Sequence, residues 1–313
     1  MATSSEPPTG GLPNTTTHIF VVGLPRTGST LTRGIVNASR EARLGGESHF
    51  LSEPIHLGLG RRQGYRERFR RIGDLSTDAG LVRIVDHIFA LRGKSFWARL
   101  AANADRDAFE TALRASERTD RALLDVAMGH YAQGRPIRGE KTPHHIHHVP
   151  TLLEWYPRAR IVQTFRDPRA VYVSLRRKER PGKLSVIGRA ARHLGPLFDS
   201  YAIANFIRRW RLMTQLHRSY SERYPGRYRL VRFEDLVTDP SGTARQLADF
   251  VGVGYSDAML DQVVHNSSFT GKRSASGIDA GTLDRWQGHL SPRIRSRFAH
   301  ELESELVEFG YRP

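Results

Sequence analysis

The stretch HIFVVGLPRTGST, residues 18–30, constrains this chain more than any other. An unbroken apolar run of strand length passes into a loop bounded by Gly23 and Gly28, and a helical pattern follows at once. A strand that is apolar throughout reads as one buried on both faces, the habit of a parallel sheet. The glycine spacing is that of a phosphate-binding loop, GxxxxGK[ST], in which backbone N–H groups and the first turn of the following helix cradle an anion. One position departs from that pattern. Ser29 stands where a nucleotide triphosphatase carries the lysine that reaches the β- and γ-phosphates, and the cation lies inside the loop as Arg26. The loop therefore expects an anion other than a γ-phosphate.

A second segment, RIVQTFRDPRAVYVSL at 160–175, is another apolar strand. It ends in Arg166, and Pro168 opens a helix that carries Ser174. Proline suits a first helical turn. Eight residues along, two turns into the helix, Ser174 can meet one phosphate jointly with Arg166.

Together the PRTGST loop and RDPRAVYVS resemble the sulfotransferases that use 3′-phosphoadenosine-5′-phosphosulfate (PAPS). The resemblance continues through GEKTPHHIHHVPTLLEWYPRARIV (139–162), YRLVRFEDLVTDPSGTARQLADFVGV (228–253) and NSSFTGK…LDRWQGHLSP (266–292). It is nearest to bacterial enzymes related to tyrosylprotein sulfotransferases. It implies a P-loop-type three-layer α/β/α fold with a central, mostly parallel sheet, PAPS as donor, the bisphosphate PAP as product, and no metal. It also implies that the first loop holds the 5′-phosphosulfate through Arg26, the Thr27 and Gly28 amides and the Ser29 and Thr30 hydroxyls, while Arg166 and Ser174 hold the 3′-phosphate.

Without cysteine, the chain has no disulfide, thiolate metal site or cysteine nucleophile. No basic leader with an apolar run opens the sequence, and no apolar stretch approaches the ~18 residues of a membrane span. A soluble, cytoplasmic, bacterial enzyme is expected. The net charge of +16 raises a nucleic-acid partner as an alternative. No recognition motif accompanies the charge, and a donor with two phosphate sites itself demands a positive cleft. A P-loop kinase or NTPase is the other alternative, and the missing lysine counts against it.

Residues 1–16 read as a solvated tail and 17–313 as a single domain. Strand-like runs at 18–23, 135–140, 160–165 and 227–233, separated by helical patterns, predict a mostly parallel sheet between helices. Such sheets bind ligands beyond the strand C-termini, and Arg26, Lys141, Arg166 and Phe233 all fall there. A helical insertion over about 55–134, with Asp or Thr at several helix starts, is expected to form a lid over the acceptor. Further helices are predicted over roughly 200–223, 240–251 and 292–308, with an excursion at 176–200.

Sulfuryl transfer resembles phosphoryl transfer, and calls for a base on the acceptor hydroxyl and cations on the sulfuryl and leaving oxygens. Glu47 lies 21 residues after Arg26, the interval between loop arginine and catalytic glutamate in tyrosylprotein sulfotransferases, and so fits the base. Burial would raise its pKa and Arg26 would lower it, and the sequence leaves that balance open. The competing base is a histidine. Cytosolic sulfotransferases place one two residues after the lysine, whereas here Lys141 is followed by Thr142, Pro143 and then His144. His49, His144 and His145 are candidates to line the acceptor site. Lys141 resembles the lysine that reaches the sulfuryl and leaving oxygens, Phe233 the ring near adenine, and Lys272 with Arg273 a late cofactor loop. The acceptor is expected to be a hydroxyl of a small metabolite or glycoconjugate. Six arginines in 61–71 and seven basic residues in 176–192 make an anionic acceptor a further possibility.

Overall fold

The structure, a computed structural model, describes residues 16–54, 61–178, 196–261, 281 and 283–313. Strand β1 (Thr17–Gly23) is its centre. Alternate side chains of a strand point to opposite faces. Phe20 and Val22 accordingly enter one apolar cluster, while Ile19 and Val21 enter another with Ile35, Val36, Val162 and Leu247. Both faces of β1 are covered, as its unbroken apolar run requires.

After β1 come α1 (Ser29–Asn37), β2 (Ala42–Gly45) and a short antiparallel pair, β3 (Glu53–Pro54) and β4 (Arg61–Arg62). Five helices follow: α2 (Tyr65–Ile72), α3 (Asp78–Ala90), α4 (Phe96–Asn103), α5 (Arg106–Arg114) and α6 (Asp120–Ala132). The chain returns to the sheet as β5 (Ile137–Lys141), then makes a 3-10 turn over Pro143–His148, α7 (Val149–Trp155) and β6 (Arg160–Phe165). Helices α8 (Pro168–Lys178) and α9 (Pro196–Arg223) precede β7 (Tyr228–Arg232). The C-terminal part holds α10 (Phe233–Thr238), α11 (Pro240–Val251), α12 (Pro292–Glu301) and α13 (Glu303–Glu308). No helix among the described residues is long and apolar enough to cross a membrane.

The five-stranded sheet has the order β2-β5-β1-β6-β7, and every pairing is parallel. This is the expected α/β arrangement of a central parallel sheet flanked by helices. Chain progression first places β2 and β5 on one side of β1 and then β6 and β7 on the other, so the order reverses at β1. A crevice opens at such a reversal, beyond the strand C-termini.

Register decides what enters that crevice. Val21 lies opposite Lys141, Gly45 opposite Glu140, Gly23 opposite Thr164 and Phe165 opposite Arg232. The residues that follow these pairs, in the loops after β1, β2, β6 and β7, therefore leave the sheet along one edge. Gly23, at φ 136°, has no room for a side chain, because a Cβ would stand 2.4 Å from the Thr164 carbonyl oxygen.

Side chains cap the helices of the 65–132 region as their sequences suggest. Thr77, Ser95, Asp105 and Thr119 each accept from a backbone N–H in the first turn of α3 to α6. Trp97 of α4 packs against Phe69, with ring centroids 4.9 Å apart, and against Phe50 at 5.9 Å. Several elements differ from expectation, the short β3–β4 pair among them. Strand β2 was not foreseen, and the helix predicted over 292–308 breaks at Leu302, which is fully buried with φ −126°. The first 15 residues and 179–195, most of the second basic run, lie outside the described residues.

Candidate active site

The loop after β1 is shaped before any ligand arrives. Arg26 has φ 76°, a left-handed value uncommon outside glycine that costs local energy. Thr27 is buried, and its hydroxyl donates to the Leu24 carbonyl at 2.7 Å and meets the Thr164 hydroxyl at 2.7 Å. That side chain braces the loop, which leaves its backbone amide for an anion. Gly28 is the N-cap of α1, has φ 94°, and contributes no side-chain cap. The first-turn amides of α1 thus face the crevice uncapped by a side chain, with Ser29 buried and Thr30 exposed beside them.

The Arg166 element lies against the same loop. The Arg166 guanidinium stands 4.0 Å from the centroid of the Phe233 ring, a cation–π contact. A Cβ on Gly28 would stand 2.8 Å from that ring, so Phe233 packs between the loop after β1 and Arg166. Burial lowers the Arg166 pKa from its ordinary value, against the raising effect of Glu234 and Asp167. Glu234 accepts from the Asp167 N–H at 3.0 Å and from the Tyr311 hydroxyl at 3.0 Å, which fixes the turn after Arg166. Arg169 is clamped to Asp167 at 2.8 Å and lies 4.4 Å from the Trp286 ring centroid. Ser174 accepts from Arg26 Nε at 2.9 Å. The loop arginine and the serine of the second element, 148 residues apart, are therefore direct partners.

On the other side of β1, Lys141 Nζ forms an ion pair and hydrogen bond with Glu47 Oε1. Lys141 is buried and the Glu47 side chain 39% exposed, so the carboxylate is the partner open to a small molecule. His49 Nε2 lies 3.3 Å from the other oxygen of Glu47, and its backbone is left-handed at φ 47°. Burial pushes the Glu47 carboxyl up, but the hydrogen bond with His49 and the Lys141 ammonium outweigh it. They hold the group well below the usual carboxylate range. The balance left open by the sequence thus falls on the low side, through His49 and Lys141 in place of Arg26.

The histidines after Lys141 divide by role. His145 is completely buried. Its Nε2 accepts from the Leu51 N–H at 3.1 Å, which puts the ring proton on Nδ1, 2.5 Å from Glu140 Oε1. With no exposed surface and its Nε2 on Leu51, His145 faces the core. His148 Nε2 donates to the Ser52 carbonyl at 2.8 Å, and His144 is buried. Among the described residues no group of three or more His, Cys, Asp or Glu is arranged to hold a metal ion.

In the first arginine run, Arg66 and Arg70 both pair with Asp120, at 2.7 and 2.6 Å, and so tie α2 to α6. Lys272 and Arg273 lie outside the described residues.

Residues 18–257 match the sulfotransferase family, and the chain belongs to it. It is similar to protein-tyrosine sulfotransferase 2 of Gallus gallus, 24% identical over 94% of this chain and 69% of that protein. A shorter stretch is 34% identical to carbohydrate sulfotransferase 6 of Homo sapiens, over 28% of this chain and 24% of that protein. The sulfotransferase domain of the Synechococcus PCC 7002 olefin synthase shares the fold. It superposes with a TM-score of 0.54 at 19% identity, over 95% of this chain and 98% of that one.

Proposed function

We propose that residues 17–313 form one catalytic unit that moves a sulfuryl group from PAPS to an acceptor hydroxyl, with Glu47 as general base. The Glu47–Lys141 pair, set at the sheet edge beside an anion loop, carries this reading. The donor supplies an activated sulfur whose bond to the 5′-phosphate oxygen breaks as the acceptor oxygen bonds to it, releasing PAP.

The chain's own groups fit such a donor. Uncapped α1 amides, Ser29, Thr30 and Arg26 suit a 5′-phosphosulfate, and Arg166 with Ser174 suits a 3′-phosphate. Phe233 sits between these two elements, as a ring beside adenine would. Glu47, already ionised, takes the acceptor proton. Lys141 and Arg26 steady charge on the sulfuryl and leaving oxygens. When Lys141 turns to a bound anion, Glu47 loses a cation that depressed its basicity and becomes the stronger base. His49 and His144 stand near enough in the chain to line the acceptor side. The acceptor is a hydroxyl of a small metabolite or glycoconjugate, a class to which the carbohydrate acceptor in the name of one relative belongs, while the other relative is named for protein tyrosine.

Thermal melts with adenosine 3′,5′-bisphosphate, 5′-AMP, ATP and an oligonucleotide test the donor, and transfer from labelled PAPS tests the reaction. A ligand at 100 times its Kd adds about 2.7 kcal/mol, so the bisphosphate is expected to raise the melting temperature by several degrees and ATP by less. ATP or oligonucleotide stabilising the protein as strongly as the bisphosphate would refute the donor assignment.

A further inference from the structure

The segment that carries Glu47, residues 46–52, has no helix or strand of its own; the Tyr65 and Arg66 N–H groups donate to the His49 and Phe50 carbonyls at 2.9 Å, and side chains hold its own N–H groups at Ser48 and Leu51. The Ser48 N–H donates to Glu140 Oε2 at 3.2 Å and to the Thr142 hydroxyl at 3.0 Å. The Leu51 N–H donates to His145 Nε2, and Trp97 Nε1 donates to the Ser48 carbonyl at 2.9 Å. Ser48, Glu140, Thr142 and His145 are each no more than 1% exposed. We propose that Glu140 and His145 are a buried positioning pair, which sets the Glu47 carboxylate by holding the backbone on both sides of His49. The proposal rests on the reading of Glu47 as the base.

Adjacent residues of β5 point to opposite faces of the sheet, and here they grip adjacent residues of one loop. Lys141 binds the side chain of Glu47, and Glu140 binds the backbone of Ser48. His145 adds a third fixed point at Leu51, three residues further on. The pair is an unusual way to fill a core. A buried carboxylate is costly unless fully bonded, and apolar residues of similar volume hold a core as well or better. Direction is what an apolar pair cannot supply. Glu140 Oε2 accepts from Thr142 at 2.9 Å as well as from Ser48, while Oε1 meets His145 Nδ1 at 2.5 Å as a charge contact outside hydrogen-bond geometry. The His145 ring can accept from Leu51 only in the tautomer that points Nδ1 at Glu140. The two residues thus fix each other, and together they fix the loop.

The test uses the full chain with Glu140→Gln, His145→Asn and His145→Gln, alone and with Glu47→Gln. Glu140→Gln and His145→Asn are expected to lower kcat by about 10–100-fold, the range known for outer partners of metal-bound groups and taken as a guide. The Kd for adenosine 3′,5′-bisphosphate is expected to stay within about twofold, since the anion loop is untouched. His145→Gln keeps an amide oxygen able to accept from Leu51 and is expected to recover most of the lost rate. In the Glu47→Gln background, Glu140→Gln is expected to add less than about twofold, because its effect passes through Glu47. Multiplicative losses in the double variant, parallel loss of donor affinity, or no advantage of Gln over Asn would each overturn the proposal. If Glu140→Gln does not fold, the two His145 variants decide alone. Unchanged turnover in Glu47→Gln would remove the base assignment itself. Hydrogen exchange at the Ser48 and Leu51 amides then reads the clamp by itself: at least about tenfold faster exchange in His145→Asn upholds it, and unchanged exchange overturns it.

Discussion

Replacing Arg166 with alanine is expected to separate the proposed 5′- and 3′-phosphate elements in a binding measurement. The guanidinium lies 4.0 Å from the Phe233 centroid, and Arg26 bonds Ser174 in the same element, so two like charges serve neighbouring positions. Losing the cation–π contact removes about 0.5–2 kcal/mol, and relief of repulsion from Arg26 offsets part of it. The melting temperature should therefore fall by at most a few degrees. Binding is a different matter, because a charge-assisted contact to a 3′-phosphate contributes about 1.5–3 kcal/mol, or roughly 10- to 150-fold in Kd. Calorimetry with adenosine 3′,5′-bisphosphate should show that loss, whereas 5′-AMP, which lacks the 3′-phosphate, should bind nearly as before. Arg166→Lys should fall between, since lysine keeps the charge but not the planar fork. Equal losses for the two ligands, or no loss for the bisphosphate, would refute the assignment of Arg166 to the 3′ end.

Three further outcomes are expected. Glu47→Gln should lower turnover by ~10²–10⁴ in a labelled-transfer assay while bisphosphate affinity is kept, the usual effect of losing a positioned base. The folded protein holds Glu47 below the ordinary value of 4.5, so the stability this group contributes is present above that pH and is lost as the pH falls through the folded value. The gap in melting temperature between wild type and Glu47→Gln should accordingly narrow as the medium is taken from neutral to below pH 4.5. Arg70, 61% exposed and paired with Asp120, should cost under about 1 kcal/mol when changed to Gln, with acceptor KM unchanged in steady-state kinetics.

The strands that position the site were legible because parallel strands buried on both faces are rich in apolar and β-branched residues, as in IFVV of β1 and the IV and TF of RIVQTF. Strand β2 was not legible. Its four residues, ARLG, are too short for a period and sit at the sheet edge. The break at Leu302 was hidden as well, since an apolar residue fits a continuous helical stripe whether or not the helix continues through it. At the site, loop spacing located Arg26 and the residues beside it, and the interval to Glu47 located the carboxylate. What spacing could not show is who answers whom. The Leu51–His145 bond spans 94 residues and the Arg26–Ser174 bond 148, and neither leaves a local pattern. His145 could be read from the sequence either as lining the site or as packing. Only its two buried partners reveal that it faces inward.

The central place of β1 also bears on how the chain must be made. Strand β1 leaves the ribosome well before its partners β5 and β6, which come much later in the sequence. At ~5–20 residues per second, the about 120 residues that separate Thr17 from its partner Ile137 take about 6–24 s to emerge. Throughout that interval HIFVVG has two open edges and apolar side chains on both faces, the makings of a sticky segment. Chains halted before β5 are therefore expected to collect as aggregates, and chains halted between β6 and β7 to hold the anion loop without Phe233 against it.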